Sequence, residues 1–197
     1  QAAEAYAKGF ARSKDTFHEP DYQAFAAGLP EGGTVLDLGC GPGHWAARFR
    51  DDGYRVAAVD ASPEMAAYAQ DTYGIEVRVA GFGEIEAEAA FDGIWAFFSL
   101  LHVPRAEFPG HLARVRSALK PGGMLSLGMK LGAGEGRDHL GRFYAYYSDA
   151  ELRGMLEDAG FTVLGAGTES FAFLFRGSGS TGCAHEPTGC AKSRVSS

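Results

Sequence analysis

Val35-Leu-Asp-Leu-Gly-Cys-Gly-Pro-Gly43 runs from an apolar stretch through an acid into three glycines on alternate positions. A buried strand ending in such a loop brings bare backbone to a ligand, because glycine has no Cβ to obstruct close approach. A helix starting near Pro42 points its free N–H groups and positive dipole end at the same spot. A second apolar run, Arg55-Val-Ala-Ala-Val-Asp60, also ends in an acid, 19 residues beyond Gly41. Two strands that each deliver a carboxylate to one sheet edge imply a ligand carrying hydroxyls and an amine. The pattern predicts a nucleoside-like ligand.

Outward from this stretch, strands alternate with helices. Strand 34–38 leads to a helix over about 42–52, stopped by Gly53, and strand 55–60 leads to a helix over 63–73. That second helix has strong start signals, with Ser62 as N-cap and Pro63 in the first turn, and Gly74 ends it. Strands follow at 75–80 and 91–98, then a helix at about 104–118 that closes in a Lys120-Pro-Gly-Gly123 turn before strand 124–129. Residues 130–147 read as a Gly- and Tyr-rich loop, longer than connections usually are inside compact domains. Ser148-Asp-Ala-Glu151 is a capping box for a helix over 149–159, and segments 161–166 and 170–175 read as a final hairpin. The alternation predicts an α/β fold, Rossmann-like and doubly wound, with a mostly parallel seven-stranded sheet whose last strand runs antiparallel. One domain over 1–176 is expected, with a helical cap at 1–30 broken near Pro20, a core at 34–176 and a flexible polar tail at 177–197.

Bulk properties narrow the partners. The 197 residues carry a net charge of −7, and the 18 Lys and Arg form no dense run, which argues against nucleic acid. No apolar run approaches the ~18 residues of a membrane span and no signal-peptide pattern stands out, so no membrane association and a cytoplasmic location are expected. Cys40 lies in the glycine loop, while Cys183, His185 and Cys190 fall short of zinc spacing, so no metal is expected.

The glycine loop taken alone fits two chemistries. Gly41-Pro-Gly43-His-Trp-Ala46 with Asp60 matches the dinucleotide fingerprint of nicotinamide enzymes. Asp37 ahead of Gly39, Gly41 and Gly43 matches a different pattern. Taken with Ala58-Val-Asp-Ala-Ser-Pro-Glu-Met65, Phe91-Asp-Gly-Ile-Trp-Ala96, Leu100-Leu-His102 and Leu119-Lys-Pro-Gly-Gly-Met-Leu125, it resembles the class I S-adenosylmethionine-dependent methyltransferases. The likeness runs in order from about Thr34 to Ala166. A dehydrogenase reading leaves the Lys-Pro-Gly-Gly turn unexplained.

The resemblance implies S-adenosylmethionine as cofactor, S-adenosylhomocysteine as product and a small-molecule methyl acceptor. Asp37 would accept from the cofactor's amino group, and Gly39, Cys40, Gly41 and Gly43 would pass beneath its methionine and ribose. Asp60 would take both ribose hydroxyls, with Ala61 and Met65 flanking the adenine. Many relatives place an acid after the third strand for the adenine amino group; here Gly81 stands there, followed by Phe82, whose backbone N–H could reach the ring instead. Ser99 and His102 would lie beside the methionine end and the acceptor.

His102 is the candidate general base, although packing or capping of the next helix would equally explain it. Lys130, Arg137, Arg142 and Tyr144 in the long loop, with Tyr6 and Tyr22 in the cap, are candidate acceptor contacts. Trp45 and Phe49 read as helix core. Two rivals stay open: a nicotinamide-dependent oxidoreductase using the same loop, and a non-catalytic member of the fold. A macromolecular acceptor is disfavoured by small size and acidic balance.

Overall fold

The computed structural model describes residues 18–166 and 172–177. Its elements, in chain order, are α1 (Glu19–Ala26), β1 (Thr34–Leu38), α2 (His44–Asp51), β2 (Arg55–Asp60), α3 (Pro63–Tyr73), β3 (Val77–Val79), β4 (Phe91–Phe97), α4 (Phe108–Ala118), β5 (Leu119–Gly128), β6 (Glu135–Arg137), β7 (Phe143–Ala145), α5 (Asp149–Asp158), β8 (Phe161–Ala166) and β9 (Ala172–Gly177). Single 3-10 turns occupy Phe82–Glu84 and Leu100–His102.

Seven strands form one sheet in the order β3-β2-β1-β4-β5-β9-β8. Every pairing through β5 is parallel, and β9 runs antiparallel between β5 and β8. The parallel half is why β1 and β4 are apolar on both faces. Leu36, Leu38, Ile94 and Ala96 pack with Phe108, Leu112 and Leu152 of α4 and α5 on one face. Val35 and Trp95 pack on the other with Tyr22, Phe25, Trp45 and Phe49 of α1 and α2. The order reverses between β1 and β4, and open α/β sheets bind ligands at that switch point, beyond the strands' carboxyl ends.

Local chemistry sets the ends of the helices. Ser62 Oγ accepts from the Met65 N–H at 3.2 Å and Gly74 closes α3 at φ 65°. The Ser148–Glu151 capping box starts α5.

Several boundaries differ from the sequence reading. Pro20 stands in the first turn of α1, where its missing N–H is harmless; the residues ahead of it that would show a break lie outside the described residues. The Lys120–Gly123 segment is not a turn ahead of a strand but an irregularity within β5, where pairing jumps from Phe91–Leu119 to Gly93–Met124. Lys120 Nζ holds it to Asp92 Oδ2 at 2.8 Å. The long loop contains the β6–β7 hairpin, because Asp138 Oδ1 accepts from the N–H groups of Leu140 and Arg142 and closes a tight turn. The final hairpin is shifted, with β9 reaching Gly177. The cap before residue 18, including Tyr6, and the tail from 178 onward lie outside the described residues, as do Cys183, His185 and Cys190. Among the described residues no helix is long and apolar enough to cross a membrane, and no group of three or more His, Cys, Asp or Glu could hold a metal ion.

Candidate active site

The glycine loop leaves β1 at the switch point with Gly39, Gly41 and Gly43 at φ 73°, 53° and 83°, a region that favours glycine. Their surroundings differ. A Cβ on Gly39 would lie 2.4 Å from Ser99 Cβ, and one on Gly43 would lie 2.6 Å from Ala69 Cβ, so these two glycines let the loop pack against β4's end and α3. A Cβ on Gly41 would meet nothing within 4 Å. Gly41 therefore borders open space, as a residue over which a ligand passes should.

Asp60, at the end of β2, holds this loop. Its Oδ2 accepts from the Gly41 N–H at 2.8 Å and its Oδ1 from the Ser62 N–H at 2.9 Å. Each oxygen keeps a further acceptor position, so the carboxylate can brace the loop and still receive two hydroxyls. Ala61 is exposed on the turn that follows, and Met65 is half-buried in the first turn of α3.

Asp37 lies deeper. It is 2% exposed and its Oδ2 has no hydrogen-bond partner. Burial, with a smaller contribution from the nearby Asp60 charge, pushes its carboxyl up to about 8, against the pull of the Ala46 backbone N–H. Cys40 is buried beside it, and burial raises its thiol well above the usual range, which leaves it unreactive. Asp37, Gly39, Cys40, Gly41 and Pro42 line a cavity of about 60 Å³ together with His44, Trp45, Trp95, Phe97 and Phe98. Phe98 adopts φ 54°, a left-handed backbone uncommon for a bulky side chain and characteristic of functional sites. Ser99 follows it, with a buried hydroxyl lacking a partner.

On the adenine side expected from the resemblance, Gly81 donates its N–H to Glu84 Oε1 at 2.7 Å, and the Phe82 ring approaches Gly39. The backbone of Phe82 and Gly83 there is backed by His111 of α4, whose ring lies 6.3 Å from that of Phe82.

The candidate acceptor residues separate into two groups. His102, Lys130, Arg142 and Tyr144 come together where the β6–β7 hairpin covers the turn at Leu100–His102. The His102 and Tyr144 rings are 4.8 Å apart, Lys130 Nζ lies 4.1 Å from the Tyr144 ring centre, and Arg142 Cζ lies 5.5 Å from it. His102 Nδ1 meets the Phe143 carbonyl at 2.7 Å. A carbonyl only accepts, so Nδ1 carries the proton and Nε2 of the neutral ring keeps its lone pair. Arg142 also pairs with Asp138, and Arg137 Nη1 donates to the Gly141 carbonyl, so both guanidinium groups brace the hairpin.

Tyr22 does not join this group. In place of a lid contact it is a core residue, 1% exposed and stacked on Trp45, and its hydroxyl donates to Asp52 Oδ2 at 2.6 Å. Because α2 runs back from the glycine loop, Asp52 at its far end draws that hydroxyl away from the ligand edge.

Sequence reading also passed over the rings of the cavity. Trp45 reads only as helix core and Trp95 and Phe97 only as strand, and His18, whose ring packs 4.7 Å from Phe97 and 5.5 Å from Phe98, attracted no notice. The available signal was period two along β4, which sends Trp95 and Phe97 to one face.

Comparison with known proteins agrees with this geometry. Residues 35–123 match the methyltransferase domain family. Over that stretch, which holds the glycine loop, Asp37, Asp60 and the end of β4, the chain is similar to methyltransferase domains. A ubiquinone biosynthesis O-methyltransferase of Xanthomonas campestris pv. campestris is 35% identical over 117 residues, 54% of this chain and 46% of that protein. A 2-methyl-6-phytyl-1,4-hydroquinone methyltransferase of Synechocystis sp. is 34% identical over 128 residues, 60% of this chain and 39% of that protein. The chain thus spans half or less of the length of these relatives. Among solved structures, a Burkholderia thailandensis 1,6-didemethyltoxoflavin-N1-methyltransferase with bound 1,6-didemethyltoxoflavin and S-adenosylhomocysteine shares the fold. It superposes with a TM-score of 0.69 at 24% identity, covering 90% of this chain and 87% of that one.

Proposed function

We propose that the protein transfers a methyl group from S-adenosylmethionine to a small-molecule nucleophile. One observation carries the reading. The glycine loop is open only at Gly41, and the two acids flanking that opening are of different kinds: Asp60 is hydrogen-bonded with acceptor positions to spare, while Asp37 is buried with an oxygen unmet. Ribose hydroxyls suit the first and an ammonium suits the second. On this reading Gly39, Cys40, Gly41 and Gly43 form the floor, with Ser99 beside them. Ala61, Met65, Gly81 and Phe82 enclose the base.

When bound, the cofactor supplies a methyl group already activated on a sulfonium. The chain's own task is then to place the acceptor in line and exclude water, a placement worth up to roughly 7–11 kcal/mol in favourable cases. His102 Nε2 is available to take a proton from an acceptor hydroxyl or amine, and Tyr144 with Lys130 offers a ring and a cation to hold it. The 1,4-hydroquinone in the name of the Synechocystis relative has hydroxyl groups on an aromatic ring.

Calorimetric titration with S-adenosylhomocysteine tests the cofactor. We expect binding that Asp60→Ala weakens at least tenfold, about 1.4 kcal/mol, because the ribose hydroxyls lose their acceptor. Tight NAD binding with none of S-adenosylhomocysteine would establish the oxidoreductase instead.

A further inference from the structure

Arg105 stands between the Leu100–His102 turn and α4, three residues beyond His102. Val103 is buried and Pro104 has a fixed φ, so the short segment joining His102 to Arg105 is stiff. Three elements converge on Arg105. Its backbone N–H donates to Glu135 Oε2 of β6 at 2.8 Å. Its guanidinium donates to the Tyr146 carbonyl just after β7, pairs with Glu151 in the first turn of α5, and lies 4.4 Å from the centre of the Tyr147 ring. Glu151 belongs to the capping box of α5, and Leu152 beside it is in the core, so the far end of the ion pair is anchored. Arg105 lines no wall of the cofactor cavity.

We infer that Arg105 is a positioning residue for His102: it clamps the base of the β6–β7 hairpin, so that the Phe143 carbonyl holds His102 Nδ1–H and Nε2 stays bare. The inference rests on the role given to His102 above and adds the device that keeps the ring in that state. β6 and β7 pair only with each other, outside the seven-stranded sheet. A hairpin of two three-residue strands is marginal by itself, so contacts from outside must place it. His102 touches it in the middle, through the Phe143 carbonyl and the Tyr144 ring. That contact alone is a pivot. Arg105 adds a second point at the open end, where Glu135 pairs with Ala145 and Tyr146 follows. Two points on one stiff segment fix the tilt of the hairpin and with it the direction of the Phe143 carbonyl. An arginine suits the task, because its planar fork takes a carbonyl and a carboxylate at once. The hydrogen bond at one ring nitrogen sets which nitrogen carries the proton. A His102 released from the carbonyl would move its proton to Nε2, the position favoured in solution, and lose the lone pair a base needs.

The chain has six histidines, so in full-length protein carrying nitrogen-15 in its histidine rings the His102 signals are assigned by His102→Gln. At alkaline pH, where imidazoles are neutral, the shifts of the two ring nitrogens report which one is protonated. We expect the His102 proton on Nδ1 in the unmodified protein and predominantly on Nε2 in Arg105→Met. S-adenosylhomocysteine affinity in that variant should stay within about twofold, because Arg105 is not part of the cofactor cavity. A merely structural Arg105 would lower the melting temperature and leave the tautomer in place. His102 still protonated at Nδ1 in folded Arg105→Met would therefore overturn the inference, as would protonation at Nε2 in the unmodified protein. A larger loss of affinity in Arg105→Met would show the whole site deformed and overturn it too. Should Arg105→Met not fold, Glu135→Ala decides: it removes the acceptor of the Arg105 N–H at an exposed position, and it should move the tautomer in the same direction. An unmoved tautomer there overturns the inference. Failure of the unmodified protein to bind S-adenosylhomocysteine would overturn the cofactor reading, separately from any tautomer result.

Discussion

Gly41→Ala separates the binding role of the glycine loop from its structural role. In the free protein the added methyl group meets nothing within 4 Å, so no neighbour has to move. The remaining penalty is conformational. Gly41 sits at φ 53°, and a left-handed backbone costs an alanine about 1–2 kcal/mol. Alanine also restricts the unfolded chain, which returns about 0.4–1 kcal/mol. The net loss is about 1 kcal/mol, a drop in melting temperature of roughly 2–4 °C for a domain of this size. Binding should suffer more, because the methyl group projects into the space a ligand crosses. Overpacking of this kind costs about 1–3 kcal/mol, roughly fivefold to more than a hundredfold in affinity.

Gly39→Ala and Gly43→Ala should behave oppositely. Their new Cβ atoms would lie 2.4 Å from Ser99 Cβ and 2.6 Å from Ala69 Cβ, so conformational strain and clash combine to roughly 2–5 kcal/mol of lost stability before any ligand is added. Thermal melts paired with calorimetric titration of S-adenosylhomocysteine distinguish the cases. A Gly41→Ala protein that melts slightly lower yet binds as tightly as the parent would refute the reasoning, since it would mean that no ligand passes over Gly41.

Asp37 predicts an unusual pH profile. Its carboxyl is at about 8 in the fold against an ordinary 3.8, so the fold favours the protonated form, and the stability this contributes is complete below about pH 4 and lost as pH rises through about 8. Melting temperature should therefore fall over that window, and Asp37→Asn should remove the slope; parallel profiles for the two proteins would disprove it. The carboxylates held low by hydrogen bonds, such as Asp138 at about 2, act below that window and do not interfere. Tyr22→Phe should lower stability by about 1 kcal/mol through loss of the bond to Asp52, with S-adenosylhomocysteine affinity unchanged. A large loss of affinity in that variant would restore Tyr22 to the ligand site.

The order of elements and both sheet-edge acids were legible because strand and helix periods, the Ser62 and Ser148 caps and the Gly74 stop are local signals. Register is not local, and that is where the reading fell short. The Lys120–Gly123 segment reads as a turn, yet Lys120 reaches Asp92 across the β4–β5 pairing and holds it within a strand. Residues 130–147 read as irregular because three-residue strands carry too little alternation to show. Arg137 and Arg142 looked available until the turn they close brought their acceptors within reach.

By itself, then, the sequence determined the α/β architecture, the switch-point glycine loop and the acids that flank it. Each of these rests on signals carried by short stretches of the chain, read one after another. Only the tertiary structure decided which acid is satisfied and which is unmet, which glycine faces open space, and that Trp95 stands beside Asp37. Those properties depend on what lies across the sheet, and strands paired in space carry their partners 58 positions away along the chain.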